Sequence, residues 1–437
     1  MKKIEKEKAL GGVSYNFMMK LFNRLSEVLE GDFVRYLQHI IPPLIKSAQL
    51  NPTSMSDAKD PDEIGISCQG SVISTSVHLH AFGSKKISVN TSEVEEKTIA
   101  CKLLVSYASH LEGGFLEYAK TVTKVMKPLL EYKCHHNIRR SAAESVPVLL
   151  RCIVSGLRGK EADKDAVTNA VSAYIKEVMM PFVRCMEIED EVEPFTNMCG
   201  YLVQVLECVD ELKIDACRFI SEDMVRDMAQ QITNAISERI LRHFNQEELG
   251  DDAAAEEYSE DIEAELADNV LSDIVSKLCK LFGSRFVEIF DKVCAEQVKE
   301  LVDQSQFVDS DHILGLTIFT EVIRYGQKLA AKYTSFVLKT CQQVLQKTDA
   351  SDGLRQSAAY AIGICSDQQL LSDADQWLKE LKHLVDMPGS REDDHVLATE
   401  NAISAIGKIC RNQSKQIEDW NKKGRRLDSN AALDQRH

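Results

Sequence analysis

Two short stretches of the sequence carry residue types that could do chemistry. "GKIC", from Gly407, matches the end of a phosphate-binding loop, but the residue five positions before Gly407 is Ala402 and no glycine-rich loop precedes it. Cys134–His136 places three potential metal ligands in a row, but adjacent side chains diverge at a helix end and no second Cys/His pair lies at ligand spacing. The sequence therefore predicts no enzyme, no cofactor and no metal site.

Cysteine usage and charge narrow the class of protein further. The 13 cysteines are scattered singly from Cys68 to Cys410 without a CxxC pair, and the chain opens without an apolar signal segment, which favours reduced thiols in the cytosol or nucleus. The net charge of −16 disfavours nonspecific nucleic-acid binding and favours basic partners. No apolar run approaches the roughly 18 residues of a membrane span. We therefore expect basic protein partners, no direct nucleic-acid contact and no membrane insertion.

The elements that would position a binding site are helices. The chain has only nine prolines, 20 glycines and 6% aromatic residues, and helix-forming residues dominate. The phrase "NIRRSAAESVPVLL" from Asn137 returns as "GLRQSAAYAIGIC" from Gly353, and Arg139 and Arg355 are 216 residues apart, close to five units of about 43. A period of about 40 to 47 is typical of helix-pair repeats, and the alanine pairs allow close helix packing. The pattern predicts an all-α solenoid.

Apolar stripes at helical spacing divide the chain into about seven pairs of a first helix (A) and a second helix (B). The predicted pairs are 33–49 with 93–111, 115–133 with 137–154, 165–187 with 191–211, 221–245 with 260–282, 285–303 with 309–325, 328–347 with 352–366, and 373–386 with 395–411. One repeat domain would thus span residues 1–412.

Three segments interrupt or end this pattern. Residues 51–92 are predicted as a loop insertion, although "GSVISTSVHLHAFG" within them could form a short hairpin. Residues 246–268 hold 11 acidic residues and no basic one, and are predicted as an acidic loop. This loop could simply connect two helices, or it could attract or compete with basic ligands. Residues 413–437 are predicted as a polar tail.

The outward faces of the B helices supply the candidate binding residues. On the B helix from Asn137, the apolar stripe leaves Glu144 outward, and on the B helix from His395 it leaves Glu400 outward with Asn401 at the edge. Glu321 is expected to be outward on its own helix. Stacked B helices would bring Glu144, Glu321, Glu400 and Asn401 onto one surface for a basic peptide. A merely solvated face is an equally good explanation for any single one of these residues.

Five segments, in collinear order from about Gly31 to Cys410, resemble the importin-beta (karyopherin-beta) superfamily. The middle of the chain, about 155–310, supports the resemblance mainly through helix order. The matching segments are "GDFVRYLQHIIPPLIKSAQLNP", "VEEKTIACKLLVSYASHLEGGFLEYAKTVTKVMKPLLEY", "SAAESVPVLLRC", "LRQSAAYAIGIC" and "ATENAISAIGKI".

The resemblance implies a fold and a function. Family members are right-handed superhelices of about twenty antiparallel HEAT helix pairs, so this chain would hold about seven, with both ends short. They import cargo with basic localisation signals through nuclear pores, so the resemblance implies a protein of both cytoplasm and nucleus. Their A helices meet nuclear pore proteins rich in Phe-Gly, and their B helices hold cargo. Family contacts with the GTPase Ran concentrate in the first repeats, which this chain is expected to lack, so the sequence leaves Ran open as a partner.

A second class of function stays open beside the nuclear transport receptor. A HEAT-repeat scaffold of the phosphatase-regulatory type presents the turns within its repeats to partner proteins and has no transport cycle. Such scaffolds keep short turns and a period of about 39, whereas this chain has long insertions and a period of about 43. The sequence therefore favours the transport receptor.

Overall fold

Helices form most of the computed structural model, which describes residues 13–57, 66–69, 72–79, 83–133, 135–160, 162–189, 192–249, 257–303, 308–393 and 395–413. The contacts divide the chain into two compact units. The first ends at Ile214 and also includes Arg218–Ile220, and the second consists of Asp215–Cys217 and the chain from Ser221 onward. Within the described ranges, no helix is both long and apolar enough to cross a membrane.

The helices of the first unit follow the predicted order of A and B helices. They are α1 (Val13–Leu29), α2 (Leu37–Ala48), α3 (Thr91–Leu111), α4 (Leu116–Met126), α5 (His136–Gly159), α6 (Lys164–Glu187) and α7 (Val192–Glu211). Here α3, α5 and α7 are B helices. The close approach of the chain near α4 to α5 depends on glycine, because a Cβ added at Gly113 would lie 2.9 Å from the backbone nitrogen of Gly156.

The second unit continues the same alternation. Its helices are α8 (Glu222–Leu249), α9 (Glu257–Phe282), α10 (Ser284–Val293), α11 (Ala295–Asp303), α12 (Asp309–Tyr325), α13 (Gln327–Ala330), α14 (Thr334–Gln346), α15 (Asp352–Asp367), α16 (Ala374–Val385) and α17 (Val396–Gln413). The predicted A helix 285–303 is divided at Cys294, and the predicted A helix 328–347 contains a 3₁₀ turn at Ala331–Tyr333. The B helices are α9, α12, α15 and α17.

The repeated phrase is a packing element in both units. Ala142 and Ala143 on α5 are fully buried, as are Ala358 and Ala359 on α15. The thiol of Cys152 on α5 donates to the carbonyl oxygen of Ala108 on α3 at 3.2 Å, so successive B helices touch. The all-α helix-pair architecture predicted from the period is therefore confirmed, with a small sheet inserted.

That sheet corrects the loop predicted at 51–92. Four antiparallel strands, β1 (Thr53–Asp57), β2 (Ile66–Gln69), β3 (Val72–Leu79) and β4 (Gly83–Asn90), lie in the order β1-β4-β3-β2. The pairing of β3 with β4 places Ile73 and Val89 opposite each other, and Ser74 opposite Ser88. This alternation of aliphatic residues and serine has the period of a strand, so the serines do not indicate a loop.

The acidic segment is also more regular than predicted. Residues 246–249 are the last turn of α8, and residues 257–268 are the first turns of α9, so the loop prediction is wrong for both parts. Alanine, glutamate and leucine are good helix formers, and carboxylates are favourable near a helix N-terminus. Residues 250–256 lie outside the described residues, as do Cys134 and residues 414–437 of the predicted tail.

Candidate protein-binding surface

The B helices of each unit stack side by side, and we call each stack a B row. In the first unit, Arg140 on α5 reaches Glu193 on α7 at 3.5 Å. In the second unit, Glu321 on α12 contacts side chains of both α9 and α15, and Arg411 on α17 contacts α15. Each row therefore exposes a surface built from several parallel helices, which is suited to an extended protein segment.

The four predicted binding residues belong to two different units of the chain. Glu144 belongs to the first unit, whereas Glu321, Glu400 and Asn401 belong to the second. Glu400 is exposed and Asn401 is half-buried beside it on α17, which agrees with the expected outward position. Glu321 is only 7% exposed. The prediction that Glu321 faces outward is therefore wrong.

Glu144 is half-buried among charges of its own unit. Burial raises the pKa of its carboxyl group, and the nearby cations Arg140 and Lys102 oppose that rise. Arg140 itself is held by a hydrogen bond with Tyr201, which raises the pKa of the guanidinium against the effect of burial. The ionised carboxylate of Glu144 is thus less favourable in the folded chain despite these cations, and part of the side chain remains accessible.

Glu321 is the centre of a polar network across three B helices. The hydroxyl of Ser276 on α9 donates to Oε2 of Glu321 at 2.6 Å, and the hydroxyl of Tyr360 on α15 donates to Oε1 at 2.8 Å. Arg324, one turn further along α12, donates from Nη1 to the Tyr360 hydroxyl at 2.7 Å. Burial and the neighbouring Glu321 raise the pKa of Tyr360. These contacts explain why the carboxylate of Glu321 can be buried.

A second network lies at the C-terminal end of α15. Asp367 accepts hydrogen bonds from Arg411 Nη2 at 2.8 Å and from Asn412 Nδ2 at 3.0 Å, and Lys408 Nζ lies 3.3 Å from Asp367 Oδ2. Burial alone would raise the pKa of Asp367, but these donors hold it below its ordinary value. The ammonium group of Lys408 also lies 5.9 Å from the centre of the Tyr360 ring, so the two networks are adjacent.

Sequence reasoning missed the acidic residues that begin the B helices. Oδ2 of Asp309, the first residue of α12, accepts the backbone N–H of Ser351 at 2.7 Å. Oδ2 of Asp352, the first residue of α15, lies 2.5 Å from Nδ1 of His395, 43 residues later. Burial would raise the pKa of Asp309, but the hydrogen bonds from Ser351 hold it below its ordinary value. The signal was present, because Asp309 and Asp352 recur at the period of the repeat.

Proteins of the nuclear transport machinery are similar to this chain. It is 24% identical over 412 residues, 90% of the chain, to importin subunit beta-3 of Saccharomyces cerevisiae. It is 21% identical over 417 residues, 92% of the chain, to a probable importin-5 homolog of Dictyostelium discoideum. These alignments cover 34% and 36% of the two relatives, so the chain spans about a third of their length. No family model matches the chain.

Solved structures share the fold. The karyopherin Kap121p bound to Nup53p superposes with a TM-score of 0.74 over 94% of this chain and 36% of Kap121p, at 21% identity. Kap121p bound to Pho4p superposes with a TM-score of 0.74 over 96% of this chain and 37% of Kap121p, at 20% identity. Kap121p bound to RanGTP gives a TM-score of 0.73 over 94% of this chain and 36% of Kap121p, at 20% identity. The fold of this chain is therefore the HEAT-repeat fold of these solved structures.

Proposed function

The chain is a relative of the importin-beta superfamily, and from this premise we propose that it acts as a nuclear transport receptor that binds a basic segment of its cargo. The observation that carries the proposal is the likeness to a karyopherin solved with Pho4p, which extends over 96% of the chain. The net charge of −16 supports a basic ligand. The chain would work in the cytoplasm and the nucleus.

We assign the cargo contacts to the B rows. Glu400 and Asn401 offer an exposed carboxylate and a half-buried amide side by side on α17, which would pair with a lysine and with the backbone of an extended peptide. Glu144 would make the equivalent contact in the first unit. Glu321 would act indirectly, because its buried carboxylate fixes the hydroxyl of Tyr360, which is half-buried on the same B row.

Other partners follow from the same premise. A helices such as α10 and α16 would meet Phe-Gly pore proteins, and the relative Kap121p has been solved with Nup53p. Kap121p has also been solved with RanGTP, and for this chain Ran remains an open partner. The partners would all be proteins, which is consistent with a fold that presents rows of helix faces.

The test is peptide binding measured by fluorescence anisotropy. The probe is a labelled peptide with four lysines in a serine and glycine background. We expect its affinity to fall steeply between low and physiological salt. A triple variant, Glu144→Gln with Glu400→Gln and Asn401→Ala, should bind about three- to tenfold more weakly, because exposed charge pairs contribute about 0.2–1 kcal/mol each.

The matched control is Glu288→Gln, which removes an exposed carboxylate from the A helix α10. It should leave the affinity for the lysine peptide unchanged. If the triple variant also binds the peptide as wild type does, the cargo site is not on these residues. If the wild-type chain binds no lysine peptide at all, the transport proposal fails and the scaffold hypothesis stands.

A further inference from the structure

Charged side chains on the B row of the second unit differ between the starts and the ends of the helices. Toward the starts of its B helices lie the carboxylates Asp309 and Asp352, each in a first turn, and Glu400, in the second turn of α17, which we call the acidic edge. Toward the ends lie Arg324 in the last turn of α12, Arg411 in the last turn of α17 and Lys408 about one turn before Arg411, which we call the basic edge. The row therefore has carboxylates toward the helix starts and cations toward the helix ends, although Arg355 pairs with Asp352 at the start of α15 and Asp367 is the last residue of α15.

The basic edge is more than the usual preference of cations for helix C-termini. Lys408 and Arg411 both contact Asp367, a residue of the neighbouring helix α15. Arg324 likewise contacts Tyr360 of α15. The three cations therefore reach one place where α12, α15 and α17 meet, and Arg324 also lies 3.5 Å from Glu321 of its own helix.

Cations outnumber carboxylates in this place. The three positive charges meet two carboxylates, Glu321 and Asp367. Both carboxylates already accept hydrogen bonds from the protein: Glu321 from Ser276 and Tyr360, and Asp367 from Arg411 and Asn412.

The guanidinium groups keep donors for a ligand. The Arg411 side chain is 70% exposed and that of Arg324 is 42% exposed. Because each guanidinium has five N–H donors, both keep donors toward solvent. The Lys408 side chain is less accessible, at 24% exposed, and serves mainly to keep the local charge positive.

We propose that the basic edge binds an acidic segment of the same partner chain whose basic segment binds the acidic edge. This inference rests on the proposed function and adds a second requirement to the ligand. The partner's charge order would then be fixed, with a lysine- or arginine-rich part at the helix starts and aspartate or glutamate at the helix ends.

The geometry of α15 sets the spacing between the two parts. The helix runs from Asp352 on one edge to Asp367 on the other, a distance of about 22 Å at about 1.5 Å per residue. An extended peptide advances about 3.3–3.6 Å per residue. The basic and acidic parts of the partner should therefore be about six or seven residues apart.

The experiment compares three labelled peptides of equal length. The first has a block of four lysines, the second adds a block of three glutamates seven residues beyond it, and the third places the glutamates directly beside the lysines. Despite the net charge of −16, the second peptide should bind about two- to tenfold more tightly than the first, since each exposed pair contributes about 0.2–1 kcal/mol. The third should show no such gain.

Variants of the basic edge then test which residues cause the tighter binding of the second peptide. Arg411→Gln and Arg324→Gln should each reduce the advantage of the second peptide while leaving the affinity for the lysine-only peptide unchanged. The matched control is Lys379→Gln, at an exposed position on the A helix α16 of the same repeat. Because Arg324 also contacts Tyr360, binding data for the Arg324 variant count only if its thermal melting curve is unchanged. The Arg411 variant, at a more exposed residue, tests the same subsite independently.

The possible outcomes separate the two proposals. The lysine-only peptide could bind while the spaced glutamates add no affinity, or add as much affinity in the double variant Arg324→Gln with Arg411→Gln as in wild type. In either case the basic edge is not a subsite, and the transport proposal stands. If the lysine-only peptide does not bind, both proposals are overturned. A gain that disappears in the Arg411 variant, together with an unchanged control, supports the two-part ligand.

Discussion

The hydroxyl group of Tyr360 donates a hydrogen bond to Oε1 of Glu321 at 2.8 Å and so covers a carboxylate of the preceding B helix. Ser276 on α9 donates to the other oxygen of the same carboxylate at 2.6 Å. Side chains from three consecutive B helices therefore meet at one buried carboxylate. Since an unsatisfied buried acceptor costs more than the hydrogen bond that it loses, this network should contribute to the stability of the second unit.

Replacing Tyr360 with phenylalanine tests that contribution. Tyr360→Phe keeps the ring but removes one donor from the buried Glu321, so the free energy of unfolding should fall by about 1–3 kcal/mol. Urea denaturation followed by circular dichroism measures it. Tyr36→Phe is the control, because Tyr36 is 42% exposed and the change in its free energy of unfolding should be close to zero. Equal stability of the Tyr360 variant and the wild type would mean that the Glu321 network does not stabilise the row.

Asp367 should make the stability of the second unit depend on acid pH. Burial acts to raise its pKa, but hydrogen bonds from Asn412, Lys408 and Arg411 lower it overall. A carboxyl group whose pKa is lower in the folded state stabilises the fold above its unfolded pKa of about 3.9, and this contribution is lost as the pH falls through the lower, folded value.

Asp367→Asn should therefore be less stable than wild type at pH 7. The difference between the two proteins should shrink as the pH falls below about 4. Thermal melting at a series of pH values measures both quantities. A difference that stays constant from pH 7 to pH 3 would show that the loss comes from packing and not from the ionised carboxylate.

Glu144 should have the opposite effect. Burial raises its pKa, so its ionised form is less favourable in the folded chain than in the unfolded chain. Glu144→Gln should therefore be more stable than wild type at neutral pH, and the gain should disappear as the pH falls toward the ordinary glutamate pKa of about 4.3. Thermal melting at pH 7 and pH 4 checks this. If the variant is less stable than wild type at pH 7, Arg140 and Lys102 outweigh the burial of Glu144.

The helix pairs were predictable from the sequence because each pair must bury the same kind of apolar stripe. Period and alanine pairs together placed most A and B helices. A loop was preferred over a short hairpin for the segment that forms the sheet at Thr53–Asn90, because its serines suggested a loop. The alternation of these serines with aliphatic residues nevertheless has the period of a strand. The broken A helices at Cys294 and Ala331–Tyr333 had no strong signal, since neither proline nor a glycine pair marks them.

The binding surface was less predictable because its side chains depend on neighbouring repeats. The stripe on α12 alone suggests that Glu321 is outward, but Tyr360, from the next repeat, covers it. On α17, the apolar residue Ile403 is 43% exposed, although Ala402 and Ile406 beside it are buried. Periodicity within one helix describes the face toward its own partner helix, and it does not report what the next repeat covers.

Two adjacent arginines on α5 offer a direct comparison of a buried and an exposed ion pair. Arg139 binds Glu189 through both carboxylate oxygens, with Nη2 at 2.9 Å from Oε1 and 2.8 Å from Oε2, and the Glu189 side chain is 2% exposed. Arg140 lies 3.5 Å from Glu193, and these side chains are 39% and 64% exposed. The two residues therefore differ in solvent access far more than in chemistry.

Arg139→Met should lower the free energy of unfolding by about 3–5 kcal/mol, because it leaves the carboxylate of Glu189 buried and unpaired. Arg140→Met should cost at most about 1 kcal/mol, because its charge pair is screened by solvent. The double variant Arg139→Met with Glu189→Met should recover most of the loss, since it removes both buried charges and keeps apolar volume. Urea denaturation of the four proteins decides the matter. If the double variant is as unstable as Arg139→Met alone, the loss of stability does not come from the unpaired charge of Glu189. It then arises from the shape of the Arg139 side chain or from its hydrogen bond to the Tyr132 carbonyl.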